Sequence, residues 1–323
     1  MLSSLTRIVA GRIAPGGSDA RLSILMYHRV LPQPDPLLPG QMHASLFDTH
    51  MRSLRTHFNC LPLDEAVTRL REGTLPPRAA CVTFDDGYRD NVDVALPILR
   101  RHSMPAIFFI ATGYLDGGRM FNDTVIEAIR GARVDVLDLS DMDAGRLSLS
   151  TLEERRAAVS ACLKAAKYWG FDARHDFVTE LARRSQAALP DDLMMDSPQV
   201  NVLAQAGMEI GAHTVNHPIL LKVDDEQARR EMAQSKQQLE VLTGRPVTLF
   251  AYPNGIPGVD YGPAHVRMVG EAGFRAAVST SVGISTQSTD VYQLPRFTPW
   301  DRTSARFALR LLRNCASSRP VFA

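Results

Sequence analysis

Short apolar runs rich in β-branched and aromatic residues recur along this chain, most of them followed by a helical pattern, and no other feature constrains the fold as tightly. That rhythm belongs to an α/β domain with a largely parallel sheet. The strand candidates span residues 23–27, 80–84, 106–110, 208–211, 247–252 and 275–279, with a shorter one at 291–294.

Between them, Ser45 followed by Asp48 resembles a capping box opening a helix whose apolar face is Phe47, Met51 and Leu54. His50 and His57 fall off that face and are expected in solvent. A second helix opens at Asp224 with Gln227 completing the box, keeps Ala228, Met232, Leu239 and Leu242 on one side, and stops at Gly244 before Pro246. From about 114 to 197 the rhythm breaks. Residues 151–169 and 176–188 read as helices and strand signals are few, so this stretch is expected to be a helical insertion between two strands of the main domain. The implied division is an N-terminal extension over 1–20, the main domain over 21–300 and an amphipathic helical tail over 301–323.

With 323 residues, 45% of them hydrophobic, the chain can bury one large core or two ordinary ones. Lys and Arg total 36 against 35 Asp and Glu, so charge gives no reason to expect nucleic acid as a partner. Cys60, Cys81, Cys162 and Cys315 are far apart, which argues against a zinc ribbon, a redox motif or a disulfide framework and fits a reducing compartment. Arg7 and Arg12 interrupt the stretch where a secretory signal needs an apolar run, and no run reaches the roughly 18 residues of a membrane span. The expectation is a cytoplasmic protein, or one peripheral to the cytoplasmic membrane through Arg302, Arg306, Arg310 and Arg313 at helical spacing in the tail. The plainer alternative for that tail is a terminal helix docked on the domain with a solvated basic face.

Two motifs carry chemistry. Thr83-Phe84-Asp85-Asp86-Gly87 places adjacent carboxylates where a strand ends, and active sites of α/β folds gather at such ends. Alone it could be a polar turn. His213-Thr214-Val215-Asn216-His217 also follows a strand candidate, and two imidazoles four residues apart can face one point if the loop opens into a helical turn. Two His and one carboxylate leave positions open for water, the arrangement of a catalytic metal.

Together these residues resemble the polysaccharide deacetylase (NodB-homology) family, over roughly 22–114 and 193–297. The resemblance implies a distorted (β/α) barrel, with the helical insertion at about 114–197, and hydrolysis of the N-acetyl group of N-acetylhexosamine units in a polysaccharide or lipid-linked glycan. It implies Asp85 as general base, and Asp86, His213 and His217 as ligands of a divalent metal, zinc first, with cobalt or another ion also suited to such ligands. The physics agrees, since a bound divalent metal lowers the pKa of water from roughly 15.7 to about 7 and an adjacent carboxylate can accept its proton.

Phe250-Ala251-Tyr252-Pro253-Asn254-Gly255 looks like the family's third motif, usually Arg-Pro-Pro-Tyr-Gly, and by that alignment the Asn254 N–H is the oxyanion donor with Tyr252 and Pro253 beside the pocket. Ala251 stands where an Arg normally orients the base. Arg296, in Leu294-Pro295-Arg296, could supply that guanidinium from another strand. The family's late Leu-x-His motif is absent after Gly255, and His265, at a helix start, is expected in solvent. Met26-Tyr27-His28 has the same apolar-x-His form at the first strand's end, similar to the circularly permuted branch that deacetylates poly-N-acetylglucosamine. On that likeness His28 is the acid that protonates the leaving amine and Met26 lines the acetyl methyl pocket. The competing readings are another linear or cyclic amide hydrolase on this scaffold, and a carbohydrate-binding protein that has lost catalysis.

Overall fold

Alternation along the strands sorts the apolar side chains into an inner and an outer shell. The computed structural model describes residues 11–316 and 322–323, with Phe171 described by its backbone alone. The expectation drawn from Arg7 therefore lies outside the described residues. The described strands are β1 (Leu22–Tyr27), β2 (Asn59–Cys60), β3 (Ala79–Phe84), β4 (Ile107–Ile110), β5 (Val136–Leu139), β6 (Gly145–Ser148), β7 (Glu209–Ala212), β8 (Leu249–Ala251), β9 (Ala276–Val282) and β10 (Leu294–Arg296). The main sheet is parallel and runs β1-β3-β4-β7-β8-β9-β10, with β2 also paired to β3. Its two edges meet. The Met26 N–H donates to the Phe297 carbonyl at 2.9 Å and the Phe297 N–H to the Ile24 carbonyl at 2.7 Å, closing the sheet into an irregular barrel.

The inner shell holds Leu22, Ile24, Cys81, Ile107, Phe109, Leu249, Ala251, Val278 and Leu294. The outer faces, including Leu25, Tyr27, Val82, Phe84, Phe108, Ile110 and Phe250, pack against helices. The helices of the barrel's first half are α1 (Ala44–His57), α2 (Leu63–Arg71) and α3 (Leu96–Arg101). Leu63, Ala66, Val67 and Leu70 of α2 join the inner shell. Glu209, at the start of β7, accepts the N–H groups of Leu63 and Asp64 at 2.6 and 3.0 Å, so a carboxylate caps the helix that plugs the end of the barrel where the strands begin.

The insertion comprises α4 (Phe121–Arg130), the β5–β6 hairpin, α5 (Leu152–Ala166) and α6 (Phe171–Ser185), around its own core of Val125, Ile129, Leu137, Leu139, Cys162, Phe177 and Leu181. The antiparallel hairpin corrects the purely helical expectation. Each of its strands has four residues, with Leu137 and Leu139 of β5 buried and Leu147 of β6 half-buried against the same core, too short an alternation to stand out in sequence. Helix α6 also begins five residues earlier than the pattern implied. The remaining helices are α7 (Ser197–Gln205), α8 (Asp225–Thr243), α9 (Pro263–Glu271) and α10 (Ser304–Ala316). Asp224 caps α8 by accepting the Gln227 N–H at 2.7 Å, and Gly244 ends it in the left-handed conformation.

Three local expectations are overturned. Helix α1 is preceded by His43 with no side-chain cap, while Asp48 is drawn to Arg52, Arg101 and His102. His50 is fully buried, stacked on Phe307 of α10 at 4.1 Å, donating to the Asp301 carbonyl and accepting from the Tyr27 hydroxyl. His265 is buried too, its Nδ1 accepting the Gly262 N–H at 3.0 Å to cap α9. Asp48 is held by cationic neighbours at the surface, whereas His50 and His265 find specific hydrogen-bond partners under cover, which outweighs their preference for water. Helix α10 docks through Phe307, Leu311 and Cys315 and leaves Arg306 and Arg313 exposed, as is Arg302 just before it. Among the described residues, no helix is long and apolar enough to cross a membrane.

Candidate metal centre and active site

Asp85 and Asp86 follow β3 directly, and the Asp85 N–H donates to the Tyr27 carbonyl at 3.0 Å, continuing the pairing with β1 by one residue. Asp85 faces the barrel interior, where Arg296 of β10 meets it. The guanidinium donates to both carboxylate oxygens at 2.7 Å, to the Thr83 hydroxyl at 3.2 Å and to the Ser279 carbonyl at 2.8 Å, with Arg296 fully buried. Ala251, across the barrel on β8, is also buried and offers no charge. The guanidinium therefore arrives from the last strand.

Asp86 turns the other way because its backbone is left-handed, φ +79°. Its Oδ1 lies 3.4 Å from His213 Nε2 and 3.5 Å from His217 Nε2, buried and without a hydrogen bond. One donor atom from each of the three residues falls within 4.8 Å of the other two. A tetrahedron with bonds of roughly 2.1 Å has edges of about 3.4 Å, so the two measured separations fit a zinc-sized cation. His213 donates from Nδ1 to the Ala251 carbonyl at 2.7 Å, which leaves the Nε2 lone pair facing Asp86. The donor set, the orphaned oxygen and the fixed tautomer all fit a divalent ion.

The His pair does not converge through a helical turn, as its spacing suggested. Thr214 and His217 are left-handed instead, φ 65° and 50°, and the loop is tied down from outside. Glu231 of α8, buried, accepts the N–H groups of Val215 and Asn216 at 2.8 Å and the Asn216 side-chain amide at 2.7 Å. Gly113 approaches so closely that a Cβ there would sit 2.8 Å from the Val215 carbonyl. Sequence reasoning passed over Glu231, although a carboxylate on the apolar stripe between Ala228 and Met232 is itself a signal.

Charges in this cluster hold one another. Burial alone would raise the Asp85 carboxyl, but Arg296 and then His213 outweigh it and keep it below the usual carboxylate range. Burial opposes the charge of Asp86 as well, and His213, His28 and His217 pull it well below its ordinary value. His213 is raised, the carboxylates prevailing over burial, whereas burial and the His213 charge push His217 down to about 3. A neutral His217 is a ready ligand. The His28 imidazole is near enough for its charge to act on both aspartates.

Met26 is buried at the end of β1, in register with Thr83. After β8, Pro253 is buried and Asn254 is left-handed, φ 59°; its carbonyl accepts the Thr280 hydroxyl and its N–H finds no acceptor among the described residues. Tyr252 is a correction. Alternation turns it to the outer shell, stacked on Tyr261 at 3.8 Å and edge-on to Phe250, so it does not line the pocket. Beside the aspartates, the Tyr88 hydroxyl donates to buried Asp123 at 3.1 Å and Arg29 covers the Tyr88 ring. Burial, opposed by Arg29 and reinforced by Asp86, pushes the Asp123 carboxyl up to about 7.

The parallel barrel thus carries a guanidinium-paired carboxylate and a triad with metal-ligand spacing at its strand ends, where active sites of such folds gather. The chain belongs to the polysaccharide deacetylase family, whose sequence profile matches residues 72–137 and 152–277, more than half of it, and so to the hydrolases of non-peptide carbon–nitrogen bonds. It is 22% identical over 279 residues to YxkH of Bacillus subtilis (strain 168), itself assigned to the polysaccharide deacetylases, covering 86% of this chain and 71% of that one. It is 24% identical over 171 residues to the poly-beta-1,6-N-acetyl-D-glucosamine N-deacetylase of Staphylococcus aureus (strain MSSA476), covering 52% of this chain and 59% of that protein. The fold is shared with Streptococcus pyogenes deacetylase PplD, solved in complex with acetate, at a TM-score of 0.62 and 19% identity over 92% of this chain and 99% of that one.

Proposed function

We propose that this protein removes acetyl groups from N-acetylhexosamine units of a polysaccharide or lipid-linked glycan, with a divalent cation, zinc first, held by Asp86, His213 and His217. The observation that carries this reading is the bidentate Arg296–Asp85 pair beside that triad. When bound, the cation polarises the acetamide carbonyl and acidifies water.

Asp85, kept ionised by Arg296, takes a proton from the attacking water as its oxygen bonds to the acetyl carbon. Because both Asp85 oxygens are engaged by one guanidinium, the carboxylate cannot rotate away. The uncommitted Asn254 N–H donates to the oxyanion, and its left-handed turn, tied to Thr280, holds it before the charge develops. His28 gives a proton to the departing nitrogen, the C–N bond breaks, and acetate and a free amine leave. Buried Met26 lines the site of the acetyl methyl.

The test is acetate release from a panel of N-acetylated oligosaccharides and small amides, with chelator and with added zinc or cobalt. Chelation is expected to abolish release and metal to restore it. Asp85→Asn is expected to bind metal and release nothing. A metal-loaded wild type inert on every sugar sinks the deacetylase, and turnover of the small amides alone reassigns the substrate.

A further inference from the structure

The insertion does more than decorate the barrel. Between α4 and α6 lies a cavity of about 380 Å³, within the range of small-molecule sites, lined by Tyr114, Arg119, Phe121, Asn122, Arg174 and, at the barrel side, His217. Arg174 is only 7% exposed. One face of its guanidinium covers the Phe121 ring at 4.9 Å, which accounts for the plane but not for the donors. Its Nε is shut off from solvent without an acceptor, and no carboxylate pairs with it among the described residues. Arg296, the other deeply buried arginine, has a bidentate aspartate.

A buried cation with open donors is costly unless something supplies the missing charge. Arg119 adds a second positive group, its Nε held by the Thr124 hydroxyl at 3.1 Å and its terminal nitrogen by the Pro190 carbonyl, again with no carboxylate partner among the described residues. Asp123 of α4 is turned to Tyr88 instead. The wall is thus left net positive directly beside the candidate metal residue His217.

We propose that this cavity is a subsite for an anionic group, a carboxylate or a phosphate, carried by the acetylated glycan next to the sugar that loses its acetyl. The identity of the ligand rests on the deacetylase reading; the preference for an anion does not. The planar fork of Arg174 suits bidentate binding of either group.

Calorimetry on the zinc-loaded protein compares neutral N,N′-diacetylchitobiose with an N-acetylglucosaminyl-glucuronate disaccharide and with N-acetylglucosamine 1-phosphate. At least one acidic ligand is expected to bind about tenfold or more tightly than the neutral one, the gain of a charge-assisted contact. Arg174→Gln is expected to level the affinities and Arg174→Lys to keep part of the difference. Which acid gains tells carboxylate from phosphate. Equal affinities in the wild type, no binding of either acid, or a preference untouched by Arg174→Gln overturns the proposal; if the Gln variant does not fold, the wild-type comparison and the Lys variant decide. Acetate release is followed in parallel. An anion preference without release sinks the deacetylase reading alone, and release from the neutral sugar without a preference sinks this subsite alone.

Discussion

Asp85 and Arg296 are both buried and compensate each other completely, so removing one partner strands the other. Arg296→Ala is expected to lower unfolding free energy by about 3–5 kcal/mol and to reduce acetate release sharply. Arg296→Ala with Ala251→Arg, returning the guanidinium to β8, is expected to recover part of both; denaturant melts and turnover check this, and a double variant no better than the single one would count against the exchange of strands. Asp123 makes a different prediction. Its folded pKa of about 7 exceeds the unfolded value of about 3.9, so its contribution to stability is complete below about pH 4 and is lost as pH rises through 7. Relative to Asp123→Asn, the wild type should lose about 1.4 kcal/mol per pH unit across that window. Parallel pH slopes for the two proteins would show that Asp123 titrates normally.

At the scale of elements, the His213–His217 loop depends on α8. Glu231→Gln keeps the shape but weakens three hydrogen bonds, and is expected to reduce zinc affinity roughly 10- to 100-fold, as lost outer support usually does. Competition with a chromogenic chelator measures it, and an unchanged affinity removes Glu231 from the metal site. The positions of β3, β4 and β7 and the two motifs at their ends were legible because strand-end chemistry sits beside the apolar runs that announce it. Glu231, His50 and Tyr252 were not, since each owes its role to a neighbour far along the chain or to which side of a strand it falls. Arg174 was hidden by a helix start placed too late, which kept it off the stripe it shares with Phe177, Val178 and Leu181.

For the whole molecule, α10 acts as a clasp. Phe307 is fully buried against His50, and Cys315 meets Ser23 of β1 at 3.3 Å, so the last helix holds the first strand and first helix together. Phe307→Ala is expected to cost about 3–5 kcal/mol, read from a thermal or denaturant melt; a loss below about 1 kcal/mol would mean that the helix only rests on the surface. The barrel is sealed where β1 meets the residue after β10, with the proposed acid His28 on one side of that seam and Arg296 on the other. Translation therefore makes Asp85, Asp86, His213 and His217 before Arg296, so the Asp85 carboxylate waits more than two hundred residues of synthesis for the guanidinium that pairs with it.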